Sequence, residues 1–165
     1  MSHTVTVTRT TTTTTTSAII INTGYLKSWP GLLKFAQLIL GIVTVGIVGY
    51  YIHRYGKYVN TPEIFFLLMA VTFLIGTFLL LTSCLISIST ASIISKTIYE
   101  VVYHGCAFIL VLAASLTFVI EINHWKRNYY TSDYEAYFAA AVIGLVNSVL
   151  YLLSTIFALR SYRGL

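Results

Sequence analysis

Charge is scarce in this sequence. Only 9% of its 165 residues are charged and 57% are hydrophobic, whereas charged residues make up about a quarter of a typical soluble domain. Such a chain cannot cover itself with polar surface, so we expect lipid to surround it. Cysteine is also rare: there are two, and neither lies in a polar loop. This argues against an extracellular disulfide framework.

Motifs of catalysis and metal binding are missing as well. The sequence has no H-E-x-x-H, no G-x-S-x-G, no phosphate-binding glycine loop and no metal-spaced set of Cys and His. Its four histidines are scattered along the chain. We therefore expect no enzyme activity, no cofactor or metal site, and no nucleic-acid partner.

Long runs of apolar residues make up most of the sequence after the N-terminal tail. A helix that spans the hydrocarbon core needs about 20 apolar residues. Four runs qualify, at residues 35–52 (extended by 30–34), 64–85, 101–120 and 137–159. Each must be helical, because an open strand edge in hydrocarbon leaves amides without partners. The sequence predicts an all-α bundle of four transmembrane helices over residues 24–165. Residues 1–23 form a threonine-rich tail that we expect to be disordered.

The basic residues predict the orientation of the bundle. With four spans, both termini lie on one side of the membrane. The bias of Lys and Arg toward that side places both termini in the cytosol. The terminal side carries Arg9, Lys27, Lys34, Lys96, Arg160 and Arg163 against Glu100, and the opposite side carries Arg54, Lys57, Lys126 and Arg127 against Glu63, Glu121, Asp133 and Glu135.

Residues flanking the first and last spans are predicted to anchor the protein at the membrane interface. Ser28 can cap the first helix, and Pro30 suits its first turn. Lys34 is expected to bury its methylene groups and turn its ammonium back toward anionic headgroups. A substrate-binding role for this lysine is the alternative. The predicted anchors are Lys27, Trp29, Lys34, Arg160 and Arg163.

Small residues recur at helical spacing inside the spans. Lipid tails are as apolar as leucine, so helices in a bilayer associate through close packing and a few polar contacts. We interpret these positions as packing seams within the bundle, with a homo-oligomer face as the alternative. They are Gly41 and Gly49 in the first span, Thr72 and Gly76 in the second, and Ala140, Gly144 and Ser148 in the fourth.

Polar side chains also occur within the predicted spans. Gln37 and Asn147 are expected to form hydrogen bonds between helices. Lys96, Glu100 and His104 are each four residues apart, so they share a helix face, and we interpret them as a structural ladder at the cytosolic interface. Proton sensing or relay is the alternative, since an ionisable group inside a membrane suggests function.

The sequence "GYLKSWPGLLKFAQLILGIV" at residues 24–43 resembles the entry of MARVEL-domain proteins, most closely their chemokine-like-factor branch. The "FALRSYR" exit at residues 157–163 is also similar to the family's, so the resemblance covers residues 24–163. Gln37 departs from the glutamate that many members carry. The matching entry residues are Gly24, Tyr25, Leu26, Lys27, Pro30, Gly31, Leu32, Leu33, Lys34, Gln37 and Leu38.

The resemblance implies a protein of the plasma membrane, of vesicles or of both, with cytosolic termini. Such proteins act in vesicle trafficking, in cholesterol-rich zones, and in membrane apposition or fusion, and they control other membrane proteins. We therefore expect a non-catalytic organiser of membrane lipids, of partner membrane proteins, or of its own copies. The alternative is an oligomeric channel or small transporter using Glu100, His104 and Asn147, which needs polar groups through the full membrane thickness.

Overall fold

The computed structural model describes residues 22–55, 60–124 and 131–164, and these ranges are helical almost throughout. A 3₁₀ turn at Thr23–Lys27 precedes the helices. The helices are α1 (Trp29–Tyr55), α2 (Thr61–Ile86), α3 (Ile88–Ile94), α4 (Ile98–His124) and α5 (Thr131–Arg163). All except α3 are long and apolar enough to cross a membrane. The predicted all-α, four-span architecture is confirmed. The tail at residues 1–21 lies outside the described ranges, so its disorder stays a prediction.

The short helix α3 was not expected from the sequence. Its seven residues, ISTASII, are too few to form a span. It begins because the backbone changes direction at Ser87, whose side chain then accepts a hydrogen bond from the Thr90 amide at 3.2 Å. The connection between α2 and α4 is therefore a helical turn packed against α2.

The four long helices surround one interior. α1 packs against α2 and α5, and α4 packs against the same two helices. Lys34 of α1 bonds Glu100 of α4, which places the starts of these helices together. Glu63 near the start of α2 meets Tyr137 of α5 at the opposite end. We call these ends the terminal end and the connector end of the bundle.

Apolar side chains fill the interior near the connector end. Phe66 of α2 and Phe118 of α4 stack with their ring centroids 4.7 Å apart, a favourable spacing for aromatic pairs. All four long helices contribute to this apolar cluster, so it closes the interior on that side. Its buried members are Val48, Phe66, Ala114, Phe118, Ile122, Tyr137, Ala140 and Ala141.

Several of the predicted packing positions lie at close helix contacts. A Cβ atom on Gly144 would lie 2.6 Å from Ser115 Oγ and 2.7 Å from the Phe66 ring, and one on Gly76 would lie 2.6 Å from the Tyr103 hydroxyl. Larger residues would hold these helices apart. Three further predicted positions are buried: Gly41, Ala140 and Ser148.

The positions of Gly49 and Thr72 differ from the prediction. A Cβ atom on Gly49 would meet no other atom within 4 Å. Gly49 follows Gly41 by eight residues, which rotates it by about 80° around the helix and away from α2. Thr72 is exposed, and its hydroxyl donates to the Leu68 carbonyl of its own helix. Neither residue belongs to a seam within the described bundle.

Gly144→Ala should destabilise the bundle. The added methyl group would displace Phe66 from its stack with Phe118, an overpacking that costs about 1–3 kcal/mol. Gly49→Ala is the matched control, because a methyl group there enters open space. Thermal unfolding of both purified variants in detergent measures the difference. Equal midpoints for the two variants would show that Gly144 is not at a close contact.

Candidate functional site: a buried polar cluster at the terminal end

A buried ion pair lies at the terminal end of the bundle. The ammonium of Lys34 donates to Glu100 Oε1, and both side chains are almost completely buried. An unpaired charge in this position would carry a large desolvation cost, so each group requires the other. The pair joins the second turn of α1 to the first turn of α4.

The orientation predicted for Lys34 was therefore wrong. Only 1% of this residue is exposed, and its ammonium faces the interior rather than the headgroups. A buried carboxylate at hydrogen-bonding distance attracts the ammonium more strongly than a solvated headgroup does. The other predicted anchors are exposed at the terminal end, where they can meet headgroups: Lys27, Trp29, Arg160 and Arg163.

The residues just before α1, at positions 22–28, form what we call the entry segment. It folds over the ion pair, and the Tyr25 hydroxyl accepts a second hydrogen bond from Lys34 Nζ at 2.9 Å. The Asn22 amide donates to the Leu85 carbonyl at 2.7 Å, which ties the segment to the end of α2. The entry segment is thus attached to α2 as well as to α1.

The matching entry motif has a physical explanation in this geometry. A Cβ atom on Gly31 would lie 2.0 Å from the backbone oxygen of Tyr25, so only glycine allows the chain to approach this closely. The Ser28 hydroxyl donates to the same oxygen at 2.6 Å and accepts from the Gly31 amide at 3.3 Å. Burial raises the pKa of Tyr25, and nearby Cys84 and Glu100 act in the same direction, which keeps its hydroxyl protonated.

His104 completes the polar cluster, which we define as Tyr25, Lys34, Glu100 and His104. Its Nε2 atom lies 3.7 Å from Glu100 Oε1, too far for a hydrogen bond, and neither ring nitrogen bonds any described residue. The ladder predicted from Lys96 is not formed. Lys96 lies in the turn before α4 and is exposed, and Lys34 takes its place beside Glu100.

A chain of side-chain contacts links α1 to α5 beside the cluster. Gln37 Nε2 donates to Ser154 Oγ at 2.8 Å, and Asn147 Nδ2 donates to the backbone oxygen of Gln37 at 3.5 Å. Both predicted interhelical residues therefore bridge these two helices. A cavity of about 30 Å³ borders the ion pair, and Ser154 and Ser161 are among its lining residues.

Three hydroxyl groups meet deeper in the bundle. Thr77 Oγ1 lies 3.0 Å from the Tyr103 hydroxyl and 2.8 Å from the Tyr151 hydroxyl. Both tyrosines also donate to the Phe73 carbonyl, at 3.1 and 3.3 Å. This group of hydroxyls was not expected from the sequence. The sequence feature that could have predicted it is Tyr151, a tyrosine in the middle of a span, because a phenol buried in hydrocarbon needs a polar partner.

The polar cluster offers a buried ion pair and a tyrosine hydroxyl hydrogen-bonded to it. No three His, Cys, Asp or Glu residues of the described ranges lie close enough to hold a metal ion. The polar groups lie mainly in the terminal half of the bundle, and the apolar cluster separates them from the Glu63–Tyr137 hydrogen bond.

Comparison with known proteins agrees with this architecture. Residues 25–157 match the family profile described as MARVEL, the membrane-associating domain. The chain belongs to the MARVEL family. The match begins at Tyr25, the residue that covers the buried ion pair, and ends in the last helix. No curated protein and no solved structure matches the chain, so placement of this MARVEL protein in the chemokine-like-factor branch stays a prediction.

Proposed function

We propose that this MARVEL protein is a non-catalytic organiser of membrane lipids and partner membrane proteins in vesicle trafficking, membrane apposition or fusion. The observation that carries the proposal is that polar and apolar side chains occupy different parts of the bundle. Buried charged and amide groups lie inside the bundle, and large apolar side chains cover the outside of each long helix. Exposed examples are Leu68 and Ile75 on α2, and Ile109 and Ile120 on α4.

Because the polar side chains are inside, the apolar outer surface of the bundle is the surface that meets lipids and partner proteins. Within a bilayer, shape and close packing select a neighbour, because apolar contact by itself is equally available from lipid. The candidate neighbours are membrane lipids including cholesterol-rich zones, other membrane proteins, and further copies of this chain. The internal ion pair supports this role, since it joins helices without placing charge on the lipid-facing surface.

The exposed basic residues support cytosolic termini. Lys27, Lys96, Arg160 and Arg163 all lie exposed at the terminal end. Positive charge favours the cytosolic leaflet, where anionic lipids are concentrated. We place the protein in the plasma membrane, in vesicles or in both on this basis and on its family membership.

A knockout with face-specific rescue tests the proposal. Leu68 and Ile75 are seven residues apart and share one face of α2, and Ile109 and Ile120 share one face of α4. In knockout cells, partner membrane proteins should be missorted, and the full chain should restore them. We expect one paired alanine variant to lose proximity labelling of partners while the other retains it, with both folding normally. Unchanged sorting of membrane proteins after knockout would refute the proposal.

The alternative function, a channel, requires a continuous polar path, and the described part of the bundle contains none. A pore needs polar groups through the full membrane thickness, and the apolar cluster fills the interior on the connector-end side, next to Glu63. We expect liposomes containing the purified protein to pass ions no faster than empty liposomes, with Glu100→Gln making no difference. Ion flux that depends on Glu100 would establish the alternative.

A further inference from the structure

Two buried polar atoms in the middle of the bundle belong to different helices and have no partner among the described residues. They are Thr44 Oγ1 of α1 and Asn147 Oδ1 of α5, and neither forms a hydrogen bond with any described residue. Thr44 is 3% exposed and Asn147 is 7% exposed. In hydrocarbon, a polar atom without a hydrogen-bond partner is strongly unfavourable. Both atoms therefore require a hydrogen-bonding partner from outside the protein.

The hydroxyl of Thr44 differs from several other hydroxyls of the bundle, which bond within their own helix. Ser and Thr in membrane helices usually satisfy themselves by donating to a carbonyl one turn earlier. Thr72 does so toward Leu68, Ser115 toward Val111, and Thr155 toward Tyr151, at 2.7, 2.7 and 2.8 Å. Thr44 makes no such bond, so its hydroxyl remains available to a group outside its own helix.

One small cavity borders both residues. Thr44 and Asn147 both line it, and its volume is about 10 Å³. This is close to the smallest space that holds one water molecule, and it is too small for a hydrated ion or a lipid group. All four long helices contribute to the remaining wall, which is mainly apolar: Gly41, Phe66, Met69, Ala70, Phe73, Val111, Ala114, Gly144 and Tyr151.

We propose that this cavity is a binding site for a single ordered water molecule that bridges α1 and α5. The water donates one hydrogen bond to Asn147 Oδ1. With Thr44 Oγ1 it forms a second hydrogen bond, in which either oxygen can be the donor. A water held by polar atoms on both sides of a cavity is part of the folded structure. Holding it costs less than leaving both atoms unpaired in hydrocarbon.

The water extends a chain of hydrogen bonds that the protein already contains. Ser154 bonds the side chain of Gln37, and the backbone oxygen of Gln37 bonds Asn147. The bridging water continues from Asn147 to Thr44, roughly two helical turns beyond Gln37. α1 and α5 are thereby joined by polar contacts from the terminal end to the middle of the membrane, where the apolar cluster begins.

Valine substitution decides whether the water is bound, because valine matches threonine in shape but lacks the hydroxyl. If the water is present, Thr44→Val removes one of its partners and lowers the thermal unfolding midpoint of the purified full chain in lipid nanodiscs. If the cavity is dry, the same change removes an unsatisfied hydroxyl and raises the midpoint. Thr72→Val is the matched control, since that hydroxyl bonds only its own helix, and it should shift the midpoint little.

Two further variants keep the test informative. Thr44→Ser retains the hydroxyl and should recover most of the midpoint, also where Thr44→Val proves too unstable to purify. Thr44→Val combined with Asn147→Leu should lose less than the sum of the single losses, because no unpaired group remains. A raised or unchanged midpoint for Thr44→Val, failure of Thr44→Ser to recover stability, or additive losses would overturn the proposal.

Direct detection of the water provides an independent measurement. In protein labelled with ¹⁵N-asparagine, the side-chain amide signal of Asn147 is identified by its loss in Asn147→Leu. Magnetisation should pass from water protons to this amide in the wild-type protein and should fall severalfold in Thr44→Val. Absence of transfer in the wild-type protein would also overturn the proposal.

Discussion

Lys34→Met should be among the most destabilising single substitutions in the bundle, lowering the free energy of unfolding by about 3–5 kcal/mol. The change leaves Glu100 without its cation in an interior that water reaches poorly, while methionine preserves most of the side-chain volume. The measurement is denaturant unfolding of the purified protein in mixed micelles, followed by circular dichroism.

Two variants separate the ion pair from a general effect of losing a lysine. Lys96→Met removes an exposed charge and should change stability by less than about 0.5 kcal/mol. The double variant Lys34→Met, Glu100→Met removes both charges and should recover much of the loss, because no buried charge remains unpaired. If Lys34→Met is as mild as Lys96→Met, the ammonium is not buried against Glu100.

Gly31→Ala should have the second largest effect, at about 3 kcal/mol, toward the upper end of overpacking costs. Its methyl group would collide with the backbone oxygen of Tyr25, and a backbone atom cannot move aside by changing rotamer. The entry segment must shift, which breaks the hydrogen bond between Tyr25 and Lys34. Thermal unfolding in detergent measures the loss.

The matched control for Gly31 is on the same helix. Gly46 has open space where a Cβ atom would go, so Gly46→Ala should be neutral or stabilise by about 0.5–1 kcal/mol through helix propensity. Tyr25→Phe should destabilise the wild type but have little further effect in a Gly31→Ala background, because both changes remove the same contact. Fully additive losses would show that Gly31 does not act through Tyr25.

The four spans were predictable because hydrocarbon imposes a simple requirement on the sequence. A spanning segment must be long, apolar and helical, so four spans could be predicted from four uncharged runs. The helices extend beyond those runs because backbone hydrogen bonds continue into the interface region. α3 escaped prediction because a seven-residue helix depends on one cap and on contact with α2, neither of which has a composition signal.

The side of each helix that faces the interior could not be read from the sequence. In a soluble protein, polar residues mark the outer face of a helix, whereas here both lipid and interior favour apolar side chains. Helical spacing therefore grouped Gly49 with Gly41, although only Gly41 meets α2. The partner of Lys34 was hidden for a related reason: Glu100 lies 66 residues away, and only the packing of α1 near α4 brings the two together.

The attachment of the entry segment determines how mechanical tension would enter the protein. A pull on the chain ahead of Asn22 acts first on the bond between Asn22 and Leu85, and next on the contact between Tyr25 and Lys34. The load is thus shared among α2, α1 and, through the ion pair, α4 before any helix begins to unwind. Force on the N-terminal side is resisted by three transmembrane helices together.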